Sequence, residues 1–164
     1  MAAQPTTPAL VRIQTEDFDL SAEVAALHAA DARVGAVVVF VGTVRQLDEG
    51  QALDCLELEH YPGMTERAIE GMIEQARQRF EIVGARVLHR VGRLGLGEQI
   101  VLVAVTAAHR GQAFQACEFL MDYLKTQAPF WKKEHGAAGS RWVDARASDD
   151  AALAKWGIAA SNAS

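Results

Sequence analysis

Cysteine is nearly absent from this sequence. The two cysteines, Cys55 and Cys117, have neither the C-x-x-C spacing nor the neighbouring histidines of a zinc site, so we predict no metal site and no disulfide framework. Cys55 falls in an apolar stretch and Cys117 on the apolar side of a predicted helix. Both are therefore expected to be buried free thiols.

A basic excess and a long hydrophobic run are also missing. The net charge of -5 offers no general attraction to nucleic acid. No apolar stretch approaches the roughly 20 residues of a membrane-spanning helix, and the N-terminus, MAAQPTTPAL, lacks the pattern of a signal peptide. We expect a cytoplasmic protein in which any anion site is local.

Lysine is scarce. The chain contains four lysines against twelve arginines, and three of the four are Lys125, Lys132 and Lys133. Lysine carries a compact ammonium group whose pKa shifts readily, so it can act as an acid, a base or a nucleophile. The cluster is a candidate chemical site. The alternative is that lysines near the end of a helix only complement its dipole.

Hydrophobic periodicity predicts one α+β domain within the 164 residues. Strands are expected at 11–13, 37–41, 53–61, 85–91, 99–107, 130–135 and 140–145, and helices at 19–30, 65–80 and 111–127. Adjacent strands between helices favour a largely antiparallel or mixed sheet over a doubly wound fold. The continuously apolar strand 37–41 is expected to be buried on both faces, and segment 92–98 to be a tight connection.

The predicted domain has short appendages. Residues 1–10 are expected to form a flexible lead, residues 11–146 the folded domain, and residues 147–164 a tail that is docked or partly disordered.

Cationic side chains cluster at predicted strand ends and helix termini, where loops can present them to one site. They are Arg45, His89, Arg90, His109, Arg110, Lys125, Lys132 and Lys133. Such a group suits an anionic small substrate, and a phosphate ester is the expected kind. Pro129 must end the preceding helix, so Lys125 and Lys132 belong to different elements.

Three classes of function fit these residues. The first is an enzyme that uses the lysines, and the second is a non-catalytic module that binds anions or a partner protein. The third, a phosphotransferase or phosphatase, has less support because no GxxxxGK[ST] loop is present, and a serine hydrolase is disfavoured because no GxSxG motif occurs.

Five segments, in order, resemble the large, catalytic subunits of molybdopterin synthases, the MoaE family: FVGTVR, LELEHYPGM, HRVGRLGLGE, HRGQAF and LKTQAPFWKKE. The likeness runs from about Gly35 to Asp144. It implies an α/β-hammerhead fold with packed helices and a small extra β-subdomain. It also implies a homodimer within a heterotetramer, with a small ubiquitin-like sulfur-carrier subunit at each end.

The resemblance implies a sulfurtransferase of molybdenum cofactor biosynthesis. The thiocarboxylate at the carrier's C-terminus would give its sulfur to cyclic pyranopterin monophosphate (precursor Z), and two transfers would form the dithiolene of molybdopterin. No cofactor and no metal are implied, and no catalytic cysteine is assigned, since the sulfur arrives already activated. The alternative is a scaffold of the same fold that binds anions or docks the carrier without catalysis.

The resemblance also assigns site residues. Lys125 and Lys132 would be the catalytic groups, and Lys125 would lie at the thiocarboxylate. The substrate would contact both lysines and the residues Thr43, Val44, Arg45, His109, Arg110, Lys133 and Glu134. Arg146 would reach a site across the dimer.

Overall fold

A computed structural model describes residues 10–29, 31–46, 52–137, 139–143 and 147–158. The elements in this part of the chain are β1 (Val11–Gln14), α1 (Leu20–His28), β2 (Ala36–Thr43), β3 (Leu53–His60), α2 (Met64–Arg79), β4 (Gly84–Arg90), β5 (Gly92–Gly95), β6 (Gln99–Ala107), α3 (Arg110–Gln127), β7 (Phe130–Gly136), β8 (Gly139–Val143) and α4 (Ala147–Ala154).

The strands form two sheets. The first has the order β1-β4-β6-β2, in which only the β1–β4 pair is parallel among the described strands. The second has the order β5-β3-β7-β8 and is antiparallel. This arrangement confirms the predicted α+β class with an antiparallel or mixed sheet, and the second sheet is the expected small β-subdomain.

Helices cover both faces of the first sheet. On one face, α2 and α3 bury an apolar stripe against β4 and β6, with Ile69, Val87, Val103 and Phe119 in one cluster. On the other face, α1 lies over β4 and β6. The apolar spacing of about 3.6 residues along α2 and α3 produces this packing, as the sequence predicted.

Strand β2 differs from its prediction. Its apolar run was expected to be buried on both faces, but β2 is an edge of the first sheet and Phe40 is 38% exposed. Val38 packs on the side of α2 and α3, whereas Val39 and Val41 pack on the opposite side. Both faces are therefore apolar, yet no strand among the described residues lies beyond β2 to complete its burial.

The predicted tight connection at 92–98 is wrong for its first half. Residues 92–95 form β5, which pairs with β3 and buries Leu94 opposite Leu56. A single buried leucine between glycines is too short to produce a strand-like alternation in the sequence.

The described part of the tail is docked. Trp156, which follows α4, makes edge-on contacts with Phe80 and Phe119, and its indole N–H donates to Asp122 at 2.8 Å. Lys155 pairs with Glu118 of α3 at 2.7 Å. The predicted lead up to residue 9 and the tail from residue 159 lie outside the described residues, as do residues 144–146.

Removal of the Glu23 carboxylate is expected to destabilise the fold. Arg86 of β4 is 5% exposed and donates to Glu23 of α1 at 2.6 Å, and Arg12 donates to the other carboxylate oxygen. Glu23→Ala leaves the buried Arg86 charge without this partner, so we expect a loss of about 3 kcal/mol in the free energy of unfolding. Urea unfolding at pH 7 measures it.

An exposed ion pair provides the control for Glu23. Asp31 pairs with Arg33 at the surface, so Asp31→Ala should leave stability near that of the unchanged protein.

Burial alone would raise the pKa of Glu23, but Arg12 and Arg86 hold it below 4.5. The stabilisation is therefore complete above pH 4.5 and is lost as the pH falls through the folded-state pKa. A Glu23→Ala protein as stable as the control would contradict this account.

Candidate functional site

The two lysines of the predicted site flank the break between α3 and β7. Lys125 is exposed in the last turn of α3. Ala128 has an extended backbone ahead of Pro129, which stops the helix, and Lys132 follows in β7. A short extended segment therefore separates the two ammonium groups and places them on different elements.

The alternation of β7 distributes its charged residues over two faces. Phe130, Lys132 and Glu134 share the face that pairs with buried Leu56 and Leu58 of β3. Lys133 belongs to the opposite face, where its ammonium group lies 5.3 Å from the centre of the Trp142 ring. The structure therefore separates Lys133 from Lys132, although they are adjacent in sequence.

Glu134 is a buried carboxylate. It is 7% exposed, and one oxygen lies 3.8 Å from the guanidinium of Arg141. The other oxygen, Oε2, has no hydrogen-bond partner among the described residues. Buried carboxylate oxygens normally accept hydrogen bonds, so Oε2 is suited to a donor group of a ligand or of another subunit.

His89, at the end of β4, is not a cation. Its ring is buried at the end of β4 and stacks on Phe130 at 3.9 Å between ring centres. Burial is the largest cause that lowers the pKa of His89 to about 4, and the charges of Lys125 and His60 contribute to the lowering. The prediction of His89 as a cationic anion-binding group is wrong, because desolvation keeps the ring neutral at pH 7.

Arg90 is committed to the fold. Its guanidinium donates to the carbonyl of Thr15 at 2.9 Å and to that of Gln99 at 3.0 Å, and it is 6% exposed. These bonds join the ends of β1, β4 and β6. Arg90 is thus a structural residue of the first sheet rather than a member of the predicted cationic site.

The turn after β2 lies at the same end of the first sheet as His89. Thr43 pairs with Gln99, and His89 pairs with Val101 two residues further along β6. Val44 is buried, donates to the Glu98 carbonyl at 2.9 Å and accepts from Gly97 at 2.8 Å. These bonds fix the turn, whereas the neighbouring side chains of Thr43 and Arg45 are exposed. We call this end of the sheet the proximal end.

His109 and Arg110 lie at the opposite, distal end. They follow the last residue of β6, Ala107, and begin α3. The helix then returns along the sheet, and 15 residues at about 1.5 Å each put Arg110 roughly 22 Å from Lys125. Within one chain, the structure does not bring this pair and the lysines together.

Arg146 and His60 also bear on the candidate site. The predicted cross-dimer residue, Arg146, lies outside the described residues. His60, which ends β3 opposite Phe130, was not predicted for the site. Its ring lies 6.4 Å from that of Phe130, and its Nδ1 is buried with no hydrogen-bond partner in the described part of the chain. Its position before Pro62 signalled only a strand end.

Comparison with known proteins identifies the class. A profile described as MoaE protein matches residues 13–127. A molybdopterin synthase catalytic subunit from Ralstonia nicotianae is 57% identical over 154 residues, which are 94% of this chain and 88% of that protein. The solved structure of a molybdopterin biosynthesis MoaE protein from Burkholderia ambifaria is 58% identical, with a TM-score of 0.79, and covers 92% of this chain and 99% of that one.

More distant likeness supports the same class. A crystal structure of molybdopterin synthase from Staphylococcus aureus is 30% identical, covers 81% of this chain and 96% of that one, and has a TM-score of 0.76. The chain belongs to the MoaE family. Its curated relatives at 57% and 53% identity are both named molybdopterin synthase catalytic subunit.

Proposed function

We propose that this chain is the catalytic subunit of a molybdopterin synthase. It transfers sulfur from the C-terminal thiocarboxylate of a small ubiquitin-like carrier to cyclic pyranopterin monophosphate, and two transfers form the dithiolene of molybdopterin. The observation that carries the proposal is the placement of Lys125 and Lys132 on either side of Pro129 in a chain of the MoaE family.

The two lysines have the central roles in this proposal. The Lys125 ammonium orients the carrier's thiocarboxylate and stabilises negative charge or transfers protons during the reaction. Lys132 acts as an acid or base or positions the pterin. It is half-buried on the face of β7 that also carries Glu134. Thr43, Val44 and Arg45 form the turn that binds the substrate.

No cysteine is required for the sulfur to move. Cys117 is buried on the core side of α3, and burial raises the pKa of its thiol to about 11. A thiol that keeps its proton is a poor nucleophile. The protonation state of Cys117 argues against a persulfide on that residue and supports a reaction in which the carrier brings the sulfur.

The site is completed by a second copy of the chain. His109 and Arg110 are exposed at the distal end, too far from Lys125 of the same chain. The apolar edge of β2 offers an interface, because Phe40 is 38% exposed there and Phe114 of the neighbouring α3 is 61% exposed. A two-fold axis across this edge would bring the partner's distal end to the proximal end.

In the dimer, the cationic pair would bind the phosphate of the pterin. The N-terminus of α3 adds its partial positive charge to His109 and Arg110. Glu134 borders the pocket from the face of β7 that also carries Lys132. Lys133 borders the pocket from the opposite face of the strand. Arg146 is proposed as a further contact across the dimer.

The proposed setting is the cytoplasm, with the carrier protein and the pterin as partners. Among the described residues, no helix is long and apolar enough to cross a membrane. The folded unit is proposed to span residues 11–146, with residues 147–164 as an appended tail.

Reconstitution tests the function directly. The purified full chain is mixed with thiocarboxylated carrier and cyclic pyranopterin monophosphate, and dithiolene product is measured. We expect product only with the thiocarboxylate, and none with a carrier that ends in an ordinary carboxylate. Carrier binding without any product would contradict the proposal and favour the non-catalytic scaffold.

A further inference from the structure

Three strands of the second sheet bring Glu57, His135 and Ser140 into contact on one face. Glu57 lies in β3, His135 in β7 and Ser140 in β8, where it pairs in register with His135. We call this face, opposite the one that carries Lys132 and Glu134, the outer face of the second sheet. The three residues are separated in a sequence that has no GxSxG motif, so only the fold brings them together.

The hydrogen bonds of His135 have a defined direction. Its Nε2 lies 2.7 Å from a carboxylate oxygen of Glu57, and its Nδ1 lies 2.6 Å from Oγ of Ser140. The hydrogen bond from His135 lowers the pKa of Glu57, so Glu57 is ionised at pH 7 and can only accept. In the neutral ring, Nε2 therefore carries the proton, and Nδ1 accepts a hydrogen bond from the Ser140 hydroxyl.

This arrangement is that of an activated nucleophile. A hydroxyl is bonded to a base, and the base is oriented by a carboxylate, which is how serine hydrolases on unrelated folds are built. Ser140 is exposed, so an electrophile can reach its Oγ. His135 is mostly covered, with 17% of its side chain exposed, and the bonds on both ring nitrogens hold its orientation.

An exposed aromatic ring lies beside the nucleophile. Trp142 is two residues beyond Ser140 in β8, so the two side chains share a face about 7 Å apart along the strand. The Trp142 ring is on the outer face, because the ammonium group of Lys133 lies 5.3 Å from its centre, and it is 54% exposed. A flat apolar surface at this position favours an apolar acyl group at Oγ.

We propose that Ser140, His135 and Glu57 form a second catalytic site, which hydrolyses esters of small apolar acyl groups. Oγ of Ser140 bonds to the acyl carbon while its proton passes to Nδ1 of His135. The bond from the acyl carbon to the alcohol oxygen then breaks, and Nδ1 returns the proton to the departing alcohol. Water attacks the acyl carbon by the same route, which restores the Ser140 hydroxyl and releases the acid. Glu57 is a positioning residue that holds the ring in the required tautomer.

Phosphonylation tests the nucleophile. The full chain is treated with a fluorophosphonate, which bonds to a nucleophilic Oγ with loss of fluoride, and mass spectrometry follows the reaction at each serine. We expect Ser140 to react at least about a hundredfold faster than Ser21, an exposed serine in the first turn of α1, because a positioned general base contributes that much. Equal rates at the two serines of the unchanged protein would overturn the proposal.

Two pairs of variants test the base and its positioning residue. His135→Gln should slow the labelling of Ser140 about a hundredfold, whereas His28→Gln, at an exposed histidine in the last turn of α1, should leave it unchanged. Glu57→Gln should slow it at least about tenfold, because an amide can donate to Nε2 and favour the wrong tautomer. Glu59→Gln, at an exposed position of the same strand, is the control for Glu57→Gln. Equal labelling in all four variants rejects the proposed roles of His135 and Glu57.

Ester hydrolysis tests the substrate class. The probes are p-nitrophenyl acetate and p-nitrophenyl butyrate, and hydrolysis by the Ser140→Ala protein is the background. We expect Trp142→Ala to lower kcat/KM for the butyrate about fivefold with little change for the acetate, because the longer chain gains apolar contact with the ring. Glu57→Gln should lower kcat with KM nearly unchanged. Equal hydrolysis by the unchanged protein and by Ser140→Ala would reject the second site, whatever the outcome for sulfur transfer.

Discussion

Lys125→Ala is expected to lower conversion of cyclic pyranopterin monophosphate about a thousandfold, a loss typical of a group that both transfers protons and stabilises charge. The side chain is exposed at the end of α3, so its removal should leave the fold intact. Reconstituted turnover with thiocarboxylated carrier measures the effect, and the thermal midpoint of unfolding should stay within about 2 °C.

Lys125→Arg sharpens this test because it keeps the charge. A guanidinium is planar and always protonated, so it cannot replace a compact ammonium group that gives and takes protons. We expect the Lys125→Arg protein to bind the carrier but to show little turnover. Lys155→Ala removes an exposed lysine that follows α4 and pairs with Glu118 of α3, and it serves as the control. Turnover near normal in Lys125→Ala would remove the central role of this residue.

Much of the fold follows from local sequence pattern. Helices α2 and α3 were predicted because their apolar residues repeat at helical spacing, and β3 because its residues alternate. The position of β2 could not be predicted in this way. An apolar strand at the centre of a sheet and an apolar strand at an edge have the same sequence pattern, since only tertiary pairing distinguishes them.

The sequence predicted the residue types of the candidate site better than it predicted which of these residues lie together in the fold. The scarcity of lysine and the helix break at Pro129 pointed to Lys125 and Lys132, which the structure places on consecutive elements. The charge state of His89 depended on burial, which sequence spacing does not show. The separation of Arg110 from Lys125 followed from α3 itself, because a helix of 18 residues carries its ends far apart.

The opposite ends of α3 make a second large effect testable. We expect Lys125→Ala and Arg110→Ala each to form nearly inactive homodimers. Co-expressed with different tags and purified as a heterodimer, the two variants should recover about half the activity of the unchanged dimer, because one of the two symmetric sites then receives an intact lysine and an intact arginine from different chains. Reconstituted turnover of the purified heterodimer measures the recovery.

A rearrangement of the same substitutions is the matched control. A heterodimer of the unchanged chain with the double variant Lys125→Ala/Arg110→Ala has the same number of altered residues, but each shared site then contains one lesion. We expect it to be nearly inactive. If Arg110 served the site of its own chain, the two results would be exchanged, since the unchanged chain would keep a complete site and the complementing pair would have none. The two heterodimers together therefore decide whether the 22 Å between the ends of α3, estimated from about 1.5 Å per residue, is bridged by a second copy of the chain.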